Sequence, residues 1–387
     1  VISIYLAGAG GELAPAKKGG GTSVGNHGDI KVDVTFDGGK SKTIEVRENK
    51  ENKVRSKKVS TELKDTVIKN NSVNVDGISG ATYSTKGFLE AVQAAADNAG
   101  VKLSTAAVAA AKKETLAKTQ NYDVVVIGSG GAGFSAAVMA KSQGANVVII
   151  EKMPNVGGNS LISGAELNAA DTWVQHKVGI FDDTAYLHYE DTIKGGDYKG
   201  DPAVVRVMTD NALEAAEWLR DVIKVSYIPD NVFQFGGHSR RRALIPEGHT
   251  GTEVITKFQA VAEKMNIPVI LDMRATELVK DKSGKVVAVK AVRDGVTYTF
   301  NAGKAVVVAT GGFGANVEMR NKYNNFYNEK FLTTNMPGAT GDGMLMAEKA
   351  GAQLVNMGYI QTYPVSDPVT GVIALVADSR FDGAVLV

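Results

Sequence analysis

The chain has 387 residues, of which 44% are hydrophobic and 43 are glycine, and it contains no cysteine. The lack of thiols excludes disulfides, thiolate nucleophiles, cysteine-ligated iron–sulfur clusters and c-type haem attachment. Lys and Arg number 43 against 42 Asp and Glu, so no net field attracts an anionic polymer, and we expect no nucleic-acid partner. The length and composition indicate a globular α/β protein of two or three units.

The first 27 residues are interpreted as an N-terminal tail. Residues 1–11 form a short apolar run that passes into small residues, which fits the end of an export signal and equally an ordinary edge strand or a disordered tail. A periplasmic or other extracytoplasmic location is therefore one expectation, and the cytoplasm is the alternative.

Residues 28–103 are predicted to form a small α+β unit. Apolar and polar residues alternate from Ile30 to Phe36, a turn follows at Asp37-Gly38-Gly39, and a second strand runs from Thr43 to Val46. Two helical stretches follow, the second from Lys86 to Asn98.

Residues 104–120 are rich in Ala, Lys and Thr and are interpreted as a linker. From residue 121 the pattern changes to strand, glycine turn, helix and strand, which is typical of parallel β/α packing. The apolar strand from Tyr122 to Ile127 leads into a GxGxxG motif at residues 128–133, followed by a helix. A second apolar strand, from Asn146, ends at Glu151. This arrangement predicts a Rossmann-like dinucleotide-binding domain over residues 121–357.

Each residue of the motif has a physical role in such a fold. Gly128 permits the tight turn, Gly130 lets the backbone approach a pyrophosphate, and Gly133 lets the helix lie against the strand. The helix N-terminus around Ala132 offers N–H groups to phosphates, and Glu151 can accept the ribose hydroxyls. NAD and FAD share this fingerprint, so the motif alone leaves both open.

Later segments resemble FAD proteins of the fumarate reductase and succinate dehydrogenase class. Residues 151–160, with a Gly-Gly turn and a polar side chain, resemble the flavoprotein segment that wraps the diphosphate. Thr310-Gly311-Gly312 after an apolar strand, and Thr340-Gly341-Asp342-Gly343 before a helix, also recur in that class. The resemblance implies a non-covalent FAD and assigns further contacts to Lys152, Gly158, Asn159, Ser160, Gly164, Ala165, Leu278, Thr310, Gly311 and Asp342.

Residues 76–82, Asp-Gly-Ile-Ser-Gly-Ala-Thr, resemble the motif at which FMN-binding domains carry FMN as a phosphoester on the final Thr. The resemblance implies covalent FMN on Thr82, attached by a separate flavin transferase. The alternative is a plain turn before a helix, with Ser84 or Thr85 as the N-cap.

From Gly28 onward the chain resembles the soluble fumarate reductase flavoproteins that carry an FMN domain. Those fumarate reductases have a Gln-x-His-Pro segment, where this chain has Tyr363 in place of His. Their Glu-x-x-Arg segment has Ala377 in the Glu position here and retains Arg380. Tyr363 with Asp378 suits an imidazole ring better than a second carboxylate, and urocanate reductases show the same pair.

Two more positions support the same interpretation. Glu166 is acidic where fumarate reductases have a small residue, and Phe235 could stack on an aromatic ring. The alternatives are that Tyr363 and Phe235 belong to the core, and that Asp378 only pairs with Arg380. The five histidines show no metal-ligand spacing, so no metal is expected.

The basic run of residues 240–242 is interpreted as a solvated surface patch or a neighbour of the flavin phosphates. Residues 358–387 resemble the start of a capping substrate domain, and the chain is expected to be a fragment. The resemblance then places the catalytic Arg and the last FAD contacts beyond residue 387.

The function implied by the resemblance is reduction of urocanate to imidazolepropionate. Hydride would come from FAD, with electrons relayed through FMN from an external donor such as a quinol-linked cytochrome or a reduced carrier. Reduction of fumarate, acrylate or cinnamate is an alternative, and a two-flavin electron-transfer protein is an alternative of another class.

Overall fold

The computed structural model describes residues 16–24, 29–49, 63–75, 82–104 and 116–362. The chain divides into two compact units, Val1–Leu116 and Ala117–Val387. Among the described residues, no helix is both long and apolar enough to cross a membrane.

The small unit is a three-stranded antiparallel sheet with two helices. Its elements in chain order are β1 (Lys17–Val24), β2 (Asp29–Asp37), β3 (Lys40–Asn49), α1 (Lys64–Asn70) and α2 (Thr82–Asn98). The sheet order is β1-β2-β3, and the turn at Gly38 and Gly39, both with positive φ, joins β2 to β3. The predicted α+β unit and its hairpin are confirmed.

The core of the small unit lies between β2 and α2. Alternate residues of β2, from Ile30 to Phe36, are at most 1% exposed, which is the period expected of a strand with one buried face. They form one cluster with the apolar residues of α2, including Phe88 and Val92. Each fully buried side chain of this size contributes about 1.5–3 kcal/mol relative to exposure.

β1 extends the small unit beyond its predicted start at residue 28. It pairs with β2 along its whole length, so residues 17–24 belong to the sheet and not to the N-terminal tail. A Cβ on Gly19 would collide with the carbonyl oxygen of Ala95, and a Cβ on Gly21 with that of Ala91. Gly19 and Gly21 are therefore the residues that admit α2 against β1.

The large unit contains a six-stranded sheet of order β10-β11-β12-β4-β5-β9. The strands of this sheet are β4 (Thr119–Ile127), β5 (Val147–Ile150), β9 (Val269–Ile270), β10 (Arg274–Lys280), β11 (Val286–Arg293) and β12 (Val296–Val308). Strands β12, β4, β5 and β9 are parallel neighbours, and β10 and β11 add an antiparallel meander. The Rossmann-like fold class is confirmed.

A second sheet of order β6-β8-β7 and the remaining helices complete the large unit. Its strands are β6 (Leu167–Asn168), β7 (Tyr227–Phe233) and β8 (Ala243–Pro246). The helices are α3 (Gly131–Ser142), α4 (Gly158–Ile162), α5 (Trp173–Lys177), α6 (Ala185–Gly195), α7 (Pro202–Trp218), α8 (Gly251–Lys264), α9 (Val317–Tyr323) and α10 (Asp342–Lys349).

The β4–α3–β5 crossover is fixed by its apolar faces. β5 is buried over all four residues, as expected for a strand with a covered sheet on both sides. On α3, Phe134 is fully buried and stacks on Phe258 of α8 with ring centroids 5.8 Å apart. This packing brings the N-terminus of α3 to the carboxyl ends of β4 and β5.

β12 begins earlier than the predicted apolar strand at residues 305–309. Its first part pairs with β11, and its last residues run parallel to β4 after a register shift between Ala302 and Ala305. β4 in turn begins at Thr119, inside the predicted linker of residues 104–120, because Thr119 pairs with Thr299.

Candidate cofactor-binding site

A cavity of about 380 Å³ lies at the carboxyl ends of the parallel strands β4, β5 and β12. Its walls are the turn after β4, the residues that follow β5, the start of α4 and the segment after β12. Ligands of open α/β sheets bind at this edge. The predicted cofactor residues that line the cavity are Gly128, Gly130, Ala132, Glu151, Lys152, Gly158, Asn159, Ser160, Thr310, Gly311 and Asp342.

The glycines of the turn are required by the backbone in two ways. Gly128 has φ +104°, and a Cβ there would collide with the backbone of Ala309. A Cβ on Gly133 would collide with the carbonyl oxygen of Gly128. These two glycines therefore shape the turn and the approach of α3 to β4.

Gly130 is different, because its nearest protein atoms would lie 3.6 Å from a Cβ. The protein leaves room for a side chain at Gly130, and the cavity occupies that room. Gly311 and Gly312 likewise have nothing within 4 Å of a Cβ. A bare backbone at a helix N-terminus, beside open space, fits the diphosphate of a dinucleotide.

Glu151 is held rigidly at the end of β5. Its Oε2 accepts hydrogen bonds from the backbone N and the Oγ of Ser129, at 2.9 and 2.7 Å, and its Oε1 accepts one from Met153 N at 2.9 Å. Ser129 is fully buried and Glu151 is 8% exposed. A carboxylate oxygen has more than one lone-pair direction, so the oriented Glu151 retains acceptor capacity for ribose hydroxyls.

A charged cluster closes the same end of the cavity around Asp342 at the start of α10. Asp342 accepts hydrogen bonds from Lys152 Nζ at 3.2 Å, Arg274 Nε at 2.9 Å and Thr340 Oγ1 at 2.7 Å. Burial acts to raise the pKa of Asp342, but these hydrogen bonds and the charge of Lys152 outweigh it and lower the pKa. Asp342 is therefore ionised at neutral pH and fixes both cations beside the cavity.

Asn159 and Ser160 connect α4 to other walls of the cavity. Ser160 Oγ accepts a hydrogen bond from Gly131 N at 3.1 Å. The amide of Asn159 donates to Asn335 Oδ1 at 2.6 Å and accepts from Met336 N at 2.8 Å. The segment of residues 335–338 is thereby strapped against the start of α4.

Four predicted cofactor residues of the large unit do not line the cavity. Gly133 supports the turn from behind, and Leu278 lies farther along β10 than the lining residues of that strand. Gly164 and Ala165 lie before β6, where a Cβ on Gly164 would collide with the carboxylate of Glu166.

Several lining residues were missed by the sequence analysis. They include Met273 just before β10, Ala275 on β10, Met336 in the segment of residues 335–338 and Met346 on α10. Met273 is 1% exposed, yet its sequence gives no sign that β10 borders the site. The three methionines are apolar and adaptable, which suits the wall of an adenine or flavin pocket.

The predicted FMN site falls mainly outside the described residues. Residues 76–81 are not among them, nor is the side chain of Thr82. The backbone places Thr82 at the first residue of α2, so the helix starts before the alternative caps Ser84 and Thr85.

The predicted substrate residues Tyr363, Asp378 and Arg380 also lie outside the described residues. Glu166 and Phe235 are described and are half-buried. Because β6 and β7 are both antiparallel to β8, they run in the same direction. Asn168 and Phe233 both pair with Ala243, so Glu166 lies two residues before that level of the sheet and Phe235 two residues after it.

The prediction that residues 240–242 form a solvated patch is wrong for Arg242, which is fully buried. Its guanidinium forms a bidentate pair with Asp183, at 2.8 and 3.0 Å, and an ion pair with Asp191 at 2.8 Å. A buried guanidinium cannot lose its proton, and two carboxylates compensate its charge. Three consecutive arginines give no sign of which one faces inward.

His188 and His238 adjoin this buried cluster. Burial lowers the pKa of His188 to about 4, assisted by the charge of Arg242, and burial likewise lowers the pKa of His238. Arg242 Nη1 lies 2.9 Å from His238 Nδ1. Since a guanidinium only donates, His238 accepts at Nδ1 and carries its proton on Nε2. In the described part of the chain, no cluster of three or more His, Asp or Glu has the arrangement of a metal site.

Family models match both units of the chain. Residues 123–387 match the model of an FAD binding domain, and residues 25–97 match that of an FMN-binding domain. The chain is 43% identical to a urocanate reductase of Eggerthella lenta over 385 residues, which cover 98% of this chain and 63% of that protein. It is 38% identical to an NADH:fumarate oxidoreductase of Klebsiella pneumoniae, over 84% of this chain and 34% of that protein. The chain thus spans less than two thirds of the length of these relatives.

Among solved structures, the open conformation of a flavocytochrome c3 fumarate reductase superposes with a TM-score of 0.58 at 33% identity. The superposition covers 60% of this chain and 41% of that chain. The glycine-lined cavity and the oriented acid lie within the matched FAD binding domain and fit its cofactor. The chain therefore belongs to the FAD-binding-domain family of flavoproteins, shares the fold of the fumarate reductases in it, and carries an FMN-binding domain ahead of that fold.

Proposed function

We propose that the protein is a flavin-dependent reductase of α,β-unsaturated carboxylates, with urocanate as substrate and imidazolepropionate as product. The observation that carries this proposal is a cavity fit for FAD in a chain that is 43% identical to a urocanate reductase over 98% of its length. Bound FAD supplies hydride to the β-carbon of the acid. An external donor would supply the electrons, and the small unit would hold an FMN able to pass them on.

The chain's own residues would hold the FAD without a covalent bond. The N–H groups around Gly130 and Ala132 face the diphosphate, and Glu151 accepts the ribose hydroxyls. Lys152, whose Nζ lies 3.2 Å from Asp342, adds a positive group near the phosphates. The strap of residues 335–338, which Asn159 fastens, would cover this side of the cavity once FAD is bound.

Substrate selection would rest on side chains that suit an imidazole ring. Tyr363 and Asp378 replace the pattern expected for a second carboxylate, and Asp378 and Glu166 are acceptors for ring N–H groups. Phe235 stacks on the ring. By the resemblance to the fumarate reductases, Arg380 belongs to a series of side chains that passes a proton to the α-carbon of the substrate.

The direct test is a steady-state assay of the holoprotein with reduced viologen against urocanate, fumarate, acrylate and cinnamate. We expect kcat/KM for urocanate to exceed that for fumarate by about 100-fold or more, because an acid that lacks the ring leaves polar groups unpaired. Faster turnover of another acid would contradict the substrate assignment. Viologen oxidation by none of them would favour a two-flavin electron carrier.

Asp378→Ala tests the residue assignment in the same assay. Urocanate turnover should fall at least about 100-fold while the FAD content is unchanged. Asp210→Ala, at an exposed ion pair with Arg206 on α7, is the matched control. Undiminished urocanate turnover by the Asp378 variant would overturn the role of this carboxylate.

We also propose that a flavin transferase attaches FMN to the hydroxyl of Thr82. Thr82 is the first residue of α2, and the small residues Ser79, Gly80 and Ala81 before it would leave room for a modifying enzyme. Thr82→Ala should abolish the flavin fluorescence that survives denaturation, whereas Ser84→Ala should retain it. A flavin-labelled band and the corresponding mass increase in Thr82→Ala would place the attachment elsewhere.

A further inference from the structure

The loop of residues 234–241 between β7 and β8 carries Phe235 and is closed on itself. His238 N donates to Phe235 O at 3.2 Å, and Gln234 Nε2 donates to His238 O at 2.7 Å. Gly236 and Gly237 lie between these bonds. A Cβ on Gly236 would meet no atom within 4 Å, and a Cβ on Gly237, which has φ +86°, would lie 3.6 Å from Gly195 Cα. Two adjacent glycines give the loop little stiffness of its own, so its position depends on what holds it from outside.

Arg240 of the loop pairs with Asp182 at an exposed position, and the anchor nearest to Phe235 is Asp191, on α6. Its Oδ2 accepts hydrogen bonds from the backbone N and the Oγ of Ser239, at 2.8 and 2.9 Å. The same oxygen lies 2.8 Å from Arg242 Nη1. One carboxylate on a neighbouring helix therefore holds both the loop and the guanidinium at its base.

Arg242 completes the anchor from the inside of the molecule. Its side chain is fully buried, and the bidentate pair with Asp183, whose side chain is 1% exposed, fixes the plane of the guanidinium. From this fixed plane Nη1 reaches His238 Nδ1, three residues after Phe235. The end of the turn that follows Phe235, at His238 and Ser239, is thus tied to a rigid, charge-compensated group.

We propose that Asp191 and Arg242 are positioning residues for Phe235, and that through it they set the preference of the site for ring-bearing acids. This inference rests on the proposed function, in which Phe235 stacks on the substrate ring. Neither residue needs to touch the substrate. Stacking depends on the distance and angle between the two rings. If the loop were free to shift, Phe235 would lose its contact with the substrate ring although no residue of the site had changed.

The test is a double-mutant cycle on the holoprotein with Asp191→Asn and Phe235→Leu. Asp191→Asn keeps the shape of the side chain and removes its charge. It should raise KM for urocanate about tenfold with kcat changed less than about twofold, and in the Phe235→Leu background it should change KM less than about twofold. Additive effects in the cycle would overturn the proposal. Asp210→Asn, which removes one carboxylate charge from an exposed ion pair on α7, should leave KM unchanged.

Hydrogen–deuterium exchange tests the anchor independently of turnover. Backbone amides of residues 235–239 should exchange at least about tenfold faster in Asp191→Asn than in the wild type, with α7 and β4 unchanged. Equal protection in both proteins would refute the anchor. If the wild type fails to reduce urocanate, the proposed function fails, whereas the exchange result still decides whether Asp191 positions the loop.

Discussion

In the small unit, Gly19 and Gly21 on β1 face the backbone of α2, whereas in the large unit Gly130 and Gly311 face open space. A Cβ at either position of the first pair would overlap a carbonyl oxygen of the helix. A Cβ at either position of the second pair would meet no protein atom closer than 3.6 Å. The missing side chain brings two elements of the protein together in one unit and leaves a place for a ligand in the other.

The role of each glycine depends on which atoms a Cβ at its position would contact. Gly128 and Gly133 belong with the packing glycines although they stand in the dinucleotide motif, because their Cβ atoms would collide with backbone. Substitutions of single glycines can therefore separate loss of folding from loss of cofactor.

The largest effect is expected from Gly21→Ala. The collision with Ala91 O forces α2 away from β1, and the small unit should lose about 3 kcal/mol of its free energy of unfolding. Thermal unfolding of the holoprotein measures this, with FAD binding by the large unit unchanged. Gly20→Ala is the matched control, since its Cβ would lie 3.4 Å from a side-chain oxygen of Asp33 and no closer to backbone. Equal stability of the two variants would break the comparison.

Gly130→Ala should act on the cofactor and not on the fold. The methyl group enters the cavity, and we expect the Kd for FAD to rise about 100-fold, which corresponds to about 2.7 kcal/mol. Gly303→Ala on β12, with its nearest atom 3.7 Å away and no cavity beside it, is the control. Titration of the apoprotein with FAD gives the Kd. If the free energy of unfolding falls as much as the free energy of FAD binding, Gly130 is a packing residue.

His188 is a titratable group that packs inside the large unit, where it is 2% exposed. Like the packing glycines, it is expected to affect folding and not cofactor binding. Its pKa of about 4 in the folded protein lies below the ordinary 6.5 of the unfolded chain, so the unfolded state binds the proton first as the pH falls. Stability contributed by neutral His188 is complete above about pH 6.5 and is lost as the pH falls toward 4. Between pH 7 and pH 5 the loss should be about 2 kcal/mol.

Urea unfolding at the two pH values checks this for the wild type and for His188→Gln. The variant cannot titrate, so the difference between its two unfolding free energies should be smaller by that amount. His176→Gln, at an exposed histidine paired with Asp171, should reproduce the wild-type difference. A wild-type pH dependence retained in His188→Gln would contradict the assignment.

The smallest effect is expected from Asn159→Ala. The side chain fastens the strap of residues 335–338 by two hydrogen bonds at an exposed position, so its loss should weaken the strap by about 1 kcal/mol. FAD should then dissociate about fivefold faster, as measured by flavin fluorescence after dilution. Asn211→Ala, which removes an exposed hydrogen bond on α7, is the control. An unchanged dissociation rate would mean that the strap does not retain the cofactor.

The candidate site illustrates how far local patterns reach. The turn after β4, the acid after β5 and the segment after β12 were predicted from their motifs, and all three line one cavity. Met273 and Ala275 were not predicted. The strand β10 joins the sheet only through β11, and the neighbours of a residue in the sequence do not show which distant strands it faces. Glu151 was predicted as a ligand residue, but its fixed orientation by Ser129 became visible only in the folded chain.

The sequence by itself determined the β4–α3–β5 unit, the hairpin of β2 and β3, and the division into two flavin-type domains. These depend on short-range properties: apolar runs, period-two alternation, glycine turns and a helix N-terminus within one segment. Only the tertiary structure decided that β1 belongs to the small sheet, that Arg242 is buried between Asp183 and Asp191, and which glycines pack and which face a ligand. Each of these depends on a contact with an atom from a distant part of the chain. A local sequence pattern does not show which distant atoms come into contact.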